Sequence, residues 1–201
     1  MFDCSRASAL LTIFVLVFAP VLVCADMRAA NRAFEAGSYK SAFKLLLPLA
    51  EAGEMQAQAH LAWLFLNGAG TEQNDEKAVQ WYLKAAEQGD AYAQFNYAEM
   101  CIEGRGTGQS DEKAFIWYQK AARQGQVNAQ FALGEMYLDG AGVEPDPVKA
   151  YAWIHVVVGS GIDAAETLLE EMEFDLSEEQ LKEARLLGQS LWSRFAIKDE
   201  E

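Results

Sequence analysis

One 36-residue unit occurs three times in this chain with no gap between copies. Residues 57–92 read AQAHLAWLFLNGAGTEQNDEKAVQWYLKAAEQGDAY, 93–128 read AQFNYAEMCIEGRGTGQSDEKAFIWYQKAARQGQVN, and 129–164 read AQFALGEMYLDGAGVEPDPVKAYAWIHVVVGSGIDA. Identical residues recur at that spacing: Ala57, Ala93 and Ala129; Gly68, Gly104 and Gly140; Gly70, Gly106 and Gly142; Lys77, Lys113 and Lys149; Trp81, Trp117 and Trp153. Such a chain is committed to stacking copies of one supersecondary element, because a single unit cannot bury its apolar side alone.

Each unit reads as two helices. Leu61, Leu64 and Phe65 recur at helical spacing and predict a first helix over about 57–67. Gly68 and Gly70 then stop it, since glycine accepts the left-handed conformation of a helix end. Asn74, Ser110 and Asp146 are N-caps for the second helices, each with a side-chain oxygen to accept a free backbone N–H. Pro147 suits the first helical position, and Asp75-Glu76 and Asp111-Glu112 place negative charge at the positive helix end. Gly89, Gly125 and Gly161 are expected to end the second helices. Ala78, Ala85 and Ala86 allow close helix approach, while Trp81 and Tyr82 supply bulk.

The two ends depart from the repeat. Residues 28–52 read as a shortened first hairpin, with Ala42, Leu46 and Ala50 at helical spacing and a tight turn at Gly37-Ser38-Tyr39. In the third unit Lys84-Ala85-Ala86 becomes Val156-Val157-Val158, read as a seam beneath C-terminal helices. Ser177-Glu178-Glu179-Gln180 is a capping box. The helix after it carries Leu181, Ala184, Leu187, Leu191 and Phe195 on one face and is expected to cap the array. The division is therefore 1–25, an export signal; 26–56, an N-terminal hairpin; 57–92, 93–128 and 129–164, the repeats; and 165–201, capping helices. The four prolines are expected at element edges.

The first 25 residues stand apart. Arg6 precedes an uncharged run from Ala7 to Ala25, and Val23-Cys24-Ala25 offers small residues for cleavage before Asp26. This is the pattern of a secretory signal peptide, implying an exported, periplasmic protein. Two alternatives stay open: an uncleaved membrane anchor, and lipid attachment at Cys24. Removal of residues 1–25 leaves Cys101 as the one cysteine, so no intramolecular disulfide is expected. With His60 and His155 the only histidines, no metal or other cofactor is expected either. The net charge of −14 argues against nucleic acid and an anionic membrane surface, and favours a basic or neutral partner.

From Ala129-Gln130 through Leu133-Gly134-Glu135-Met136-Tyr137 and Gly140-Ala141-Gly142-Val143, then Lys-Ala, Trp-Tyr and Lys-Ala-Ala-x-x-Gly, the repeat resembles the Sel1-like family. The likeness covers residues 53–164, and residues 28–52 look more like a tetratricopeptide hairpin. The resemblance implies an all-α fold: an α/α superhelix, a right-handed solenoid of antiparallel helix hairpins with a C-terminal capping helix. It implies a scaffold that assembles protein complexes, similar in bacteria to exported adaptors of the envelope. The family's cysteine-rich members have disulfide-linked hairpins, which this chain cannot form.

No catalytic constellation is present: His60 and His155 lie far apart, without a nucleophile or carboxylate at a mechanistic spacing. A cell-wall hydrolase is the alternative from another class. The Gly68-Ala69-Gly70 series lacks the Lys-Ser/Thr of a phosphate loop, and Cys101 takes the place of Phe65 and Tyr137 as a small core residue. The geometry implied by the resemblance puts the first helices on a concave face. Ala59, Phe95 and Phe131 would then point inward, with Trp63, Glu99 and Glu135 one turn on. Asn67, Glu103 and Asp139 follow, and His60 and Asn96 lie nearby. Aromatics framed by carboxylates suit another protein or an extended peptide with basic and apolar side chains.

Overall fold

The computed structural model describes residues 26–195, and the export signal read at residues 1–25 lies outside them. Every regular element among the described residues is a helix. The helices are α1 (26–35), α2 (Tyr39–Glu51), α3 (Met55–Asn67), α4 (Asp75–Glu87), α5 (Ala91–Glu103), α6 (Asp111–Ala122), α7 (Val127–Asp139), α8 (Pro147–Val156), α9 (Asp163–Asp175) and α10 (Glu178–Phe195). The chain divides into two compact units between Trp81 and Tyr82, inside α4.

The turn of each repeat is pinned by the same bonds. Gly68, Gly104 and Gly140 take left-handed φ of 64°, 68° and 73° as the C-caps of α3, α5 and α7. The next N–H reaches back five residues, Ala69 to the Leu64 carbonyl, Arg105 to Met100 and Ala141 to Met136. The N-caps of the second helices bond the same way: Asn74 Oδ1 accepts from Lys77 N at 2.7 Å, Ser110 Oγ from Lys113 N at 3.2 Å, and Asp146 Oδ1 from Lys149 N at 3.0 Å. The N–H groups of those N-caps donate to the carbonyls of Phe65, Cys101 and Tyr137, locking loop to helix.

The second glycine of the loop has a different role from the first. A Cβ on Gly70 would stand 2.4 Å from the Tyr39 carbonyl carbon, and one on Gly142 2.4 Å from that of Asp111. Each glycine lies against the backbone that opens the second helix of the preceding hairpin, at φ 74° and 70°. No side chain fits there.

In the first unit α2 packs on α3 through Leu46, Leu61 and Leu64, all buried, with Phe43 edge-on to Phe65 at 5.5 Å. Pro48 corrects the expectation that prolines lie at edges. It is inside α2, in the last turn before Glu51, on an exposed position. In the second unit Ala114, Ala121, Ala122, Ala129 and Ala150 have no exposed surface, consistent with close helix approach at these positions. Cys101 is fully buried, and burial raises its thiol pKa, as expected of an inert core residue.

Gly161 does not end the last repeat's second helix: α8 stops at Val156. Val156 and Val157 are buried, but Val158, the counterpart of the buried Ala86 and Ala122, is 40% exposed. A recurring contact also breaks one repeat on. Gln58, Gln94 and Gln130 are buried, and their amides donate to the carbonyls of Ala50, Ala86 and Ala122 at 3.1, 3.0 and 3.1 Å. Each closes the end of the preceding helix. The next position in the series is Glu166, whose carboxyl side chain has no amide N–H to donate. The recurring glutamine contact is therefore not available at this helix end.

The capping box forms as expected: Ser177 N donates to Gln180 Oε1 at 3.0 Å and Gln180 N to Ser177 Oγ at 3.3 Å. The α10 helix lies on α8, where Gly188 faces the His155 ring and Phe195 stacks on Trp153 at 5.9 Å. A shared network ties α8, α9 and α10: Tyr151 donates to Glu173 at 2.8 Å, and Arg185 donates to the same oxygen at 2.7 Å.

Candidate functional site

The residues expected on one binding face fall into two groups, one in each unit. In the first unit Ala59 is buried and presents no surface. His60 stacks on Phe34 of α1 at 4.5 Å, and Trp63 packs edge-on to Phe34 at 5.1 Å and tilted on Tyr39 at 5.4 Å. Asn67 bonds its own helix, Nδ2 to the Trp63 carbonyl at 2.9 Å. These residues form an aromatic cluster joining α3 to α1 and α2, and most of their faces are spent on packing.

In the second unit Phe95, Glu99 and Glu103 follow one another at i, i+4 and i+8 on α5, and Phe131, Glu135 and Asp139 do so on α7. Both phenylalanines are partly exposed, Glu99 is partly buried, and Glu103, Glu135 and Asp139 are exposed. Asn96 turns back on its helix, donating to the Tyr92 carbonyl at 2.7 Å. At the centre is Tyr118 of α6, which pattern reading did not single out. Its ring tilts on Phe95 at 5.8 Å and is buried, and its hydroxyl donates to Glu99. Burial first, then the Glu99 bond and the charges of Glu99, Glu103 and Glu135, push the Tyr118 pKa far up, so the hydroxyl stays a donor.

The carboxylates are unequal. Glu99 is committed to Tyr118, and Glu103 lies 3.6 Å from Arg105. Glu135 is held above the ordinary carboxylate range by partial loss of water, then by Asp139 and Glu99. A carboxyl pushed upward by its own kind is a place where a cation is welcome. The arrangement offers a negative strip along α5 and α7 beside two half-exposed phenyl rings. It suits a lysine or arginine side chain next to an apolar one. Among the described residues no group of three or more His, Cys, Asp or Glu side chains is placed to hold a metal ion.

Helix hairpins repeated every 36 residues, with the same caps and the same glycine contacts, define an all-α repeat protein of the superhelical class. The Sel1 repeat model matches residues 56–90, 91–126 and 127–155, and the chain is a Sel1-like repeat protein. Two solved structures agree. A Sel1 repeat protein from Oxalobacter formigenes is 26% identical, covering 82% of this chain and 68% of its own, with a TM-score of 0.71. A protective antigen of uropathogenic Escherichia coli strains, displaying an SLR fold, is 29% identical over 89% of this chain, with a TM-score of 0.54. This chain spans about half the length of that antigen, 49% of it. Among curated proteins none matches the sequence.

Proposed function

We infer that the chain is a non-catalytic interaction module, exported to the bacterial periplasm, that holds an extended peptide segment with basic and apolar side chains against α5 and α7. The observation that carries this reading is the pair of Phe-Glu-acid ladders in the second unit, Phe95-Glu99-Glu103 and Phe131-Glu135-Asp139. Sel1 repeat proteins generally bind other proteins, and the solenoid class offers extended surfaces for it. Export is supported by the uncharged run from Ala7 to Ala25 and the small residues before Asp26. N-terminal sequencing of the mature protein should begin at Asp26. A lipidated Cys24 would instead make it an anchored scaffold, and a start at Met1 a membrane anchor.

The test is affinity capture from the native envelope. Phe131→Ala and the double change Glu135→Lys/Asp139→Lys should each reduce capture roughly tenfold or more while helix content is unchanged. Glu99 is left intact because it accepts from the buried Tyr118, so its loss would strike the fold as well. The charge reversal should lose its effect in high salt, since exposed charges are screened over about 10 Å at 0.1 M. Full capture by both variants would overturn the reading.

A further inference from the structure

A terminal cap on a repeat array ordinarily shows a polar outer face, which keeps the array soluble. The cap made by α9 and α10 carries many charges on that face but also exposes large apolar side chains. Phe174 is 91% exposed, Leu186 60% and Trp192 58%, and Val158, where α8 has unwound, is 40%. Isolated apolar side chains on a surface are ordinary, but a group of this size gathered on one element pair marks a contact surface.

The patch contains a knob and a groove. Phe174 is the knob, at the end of α9. A depression of about 330 Å³ on α10, lined by Glu178, Leu181, Lys182, Arg185, Leu186 and Gln189, is the groove. The Arg185–Glu173 ion pair at 2.7 Å joins the two helices at this point. Glu173 precedes Phe174 in the chain and Arg185 lines the groove, so knob and groove are neighbours. A second depression of about 300 Å³, lined by His155, Val158, Gln189 and Trp192, continues the surface through the shared Gln189.

Charge decides what can cover it. The chain carries −14 overall, so two copies repel over most of their surface. The α10 helix is locally balanced, with Lys182, Arg185 and Arg194 against Glu178, Glu179 and Glu183. The α9 helix has six carboxylates and no cation, Glu170 being exposed next to the knob. The knob stands beside the acid Glu170, and the groove holds Lys182 and Arg185 against the single acid Glu178, so the two are complementary halves of one surface. A twofold contact needs that property, since each copy must offer what the other lacks. We propose that this chain forms a homodimer through the α9–α10 cap, Phe174 of each copy entering the α10 groove of the other and Glu170 meeting Lys182 across the interface. None of the α5 and α7 residues takes part, so the dimer stands or falls independently of the peptide-binding reading.

Sedimentation equilibrium of the purified chain tests it. The wild-type chain should associate to a dimer near physiological ionic strength, where the long-range repulsion between copies is screened more than the close Glu170–Lys182 contact. Phe174→Ser should weaken the dimer roughly tenfold or more with unchanged helix content. Lys182→Glu and Glu170→Lys, each alone, should be mostly monomeric. Mixed together they should dimerise again, because every cross-interface pair is then opposite in sign. A monomeric wild-type chain, a dimer indifferent to Phe174→Ser, or a mixture that stays monomeric would each overturn the proposal.

Discussion

The same register of the same repeat is filled in two opposite ways. Position 63 is tryptophan in the first unit, and its counterparts 36 and 72 residues on are Glu99 and Glu135 in the second. Trp63 closes on Phe34 and Tyr39, and part of its surface is taken up by that packing. Glu135 keeps an exposed face beside a half-exposed Phe131, and its pKa is raised by partial loss of water and then by the charges of Asp139 and Glu99. The backbone device beneath is common to both units: a left-handed glycine cap, a side-chain N-cap and a buried glutamine amide on the preceding helix end. A repeat scaffold therefore separates its duties cleanly. The positions that fix the hairpin recur, and the positions that face outward are free to become either cohesive or receptive.

The sharpest challenge to that separation is aimed at the shared device. Gly70→Ala in the first unit and Gly142→Ala in the second each place a Cβ 2.4 Å from a backbone carbonyl carbon at positive φ. Strain at φ and overlap against backbone add, and each change should destabilise by roughly 2–5 kcal/mol. Urea unfolding midpoints should fall similarly for both variants. A silent Gly142→Ala beside a damaging Gly70→Ala would mean that the hairpins of the two units are not built alike.

Trp63→Ala addresses the cohesive region. The ring is only partly buried, so its loss should destabilise by about 1–3 kcal/mol, less than a fully buried tryptophan. Partner capture by the α5 and α7 surface should survive, measured below the new melting temperature. If Trp63→Ala abolishes capture while the fold holds, the aromatic cluster is itself receptive and the contrast between the regions collapses.

Much of this was legible beforehand because repetition acts as internal evidence. The second-helix N-caps Asn74, Ser110 and Asp146 and the capping box at Ser177 all bond as the sequence implied. The buried glutamines were missed, although Gln58, Gln94 and Gln130 recur as faithfully as the alanines before them. Polar residues are ordinarily read as surface, and only their partners, main-chain carbonyls eight residues back, explain their burial. The break in that series at Glu166, whose side chain has no N–H to donate, was overlooked for the same reason. Likewise Trp63 and Glu99 looked equivalent as lining residues. Period alone says that they share a face, and it is the neighbouring side chains, Phe34 and Tyr118, that decide what each face does.

The finest test is a proton. Glu135 has a raised pKa, so the folded chain holds its proton more tightly than the unfolded chain does. Stability from this group therefore falls as pH rises from the ordinary carboxyl value through the folded one, and the penalty is fully present above both. Glu135→Gln removes the charge and with it the penalty. The side chain is exposed and screened, so the gain at pH 7 should be a few tenths of a kcal/mol, an upward shift in melting temperature of about 1–2 °C. Well below the ordinary carboxyl value the group is neutral in the folded and unfolded chain alike, and the difference between variant and parent should vanish. The same substitution deletes one of the charges that would meet a basic peptide, so capture should weaken even as the fold gains. Opposite signs for stability and binding are what a receptive carboxylate predicts, since a structural one would lose both together. A variant less stable than the parent at pH 7, or one whose difference ignores pH, would move Glu135 to the cohesive side, beside Trp63.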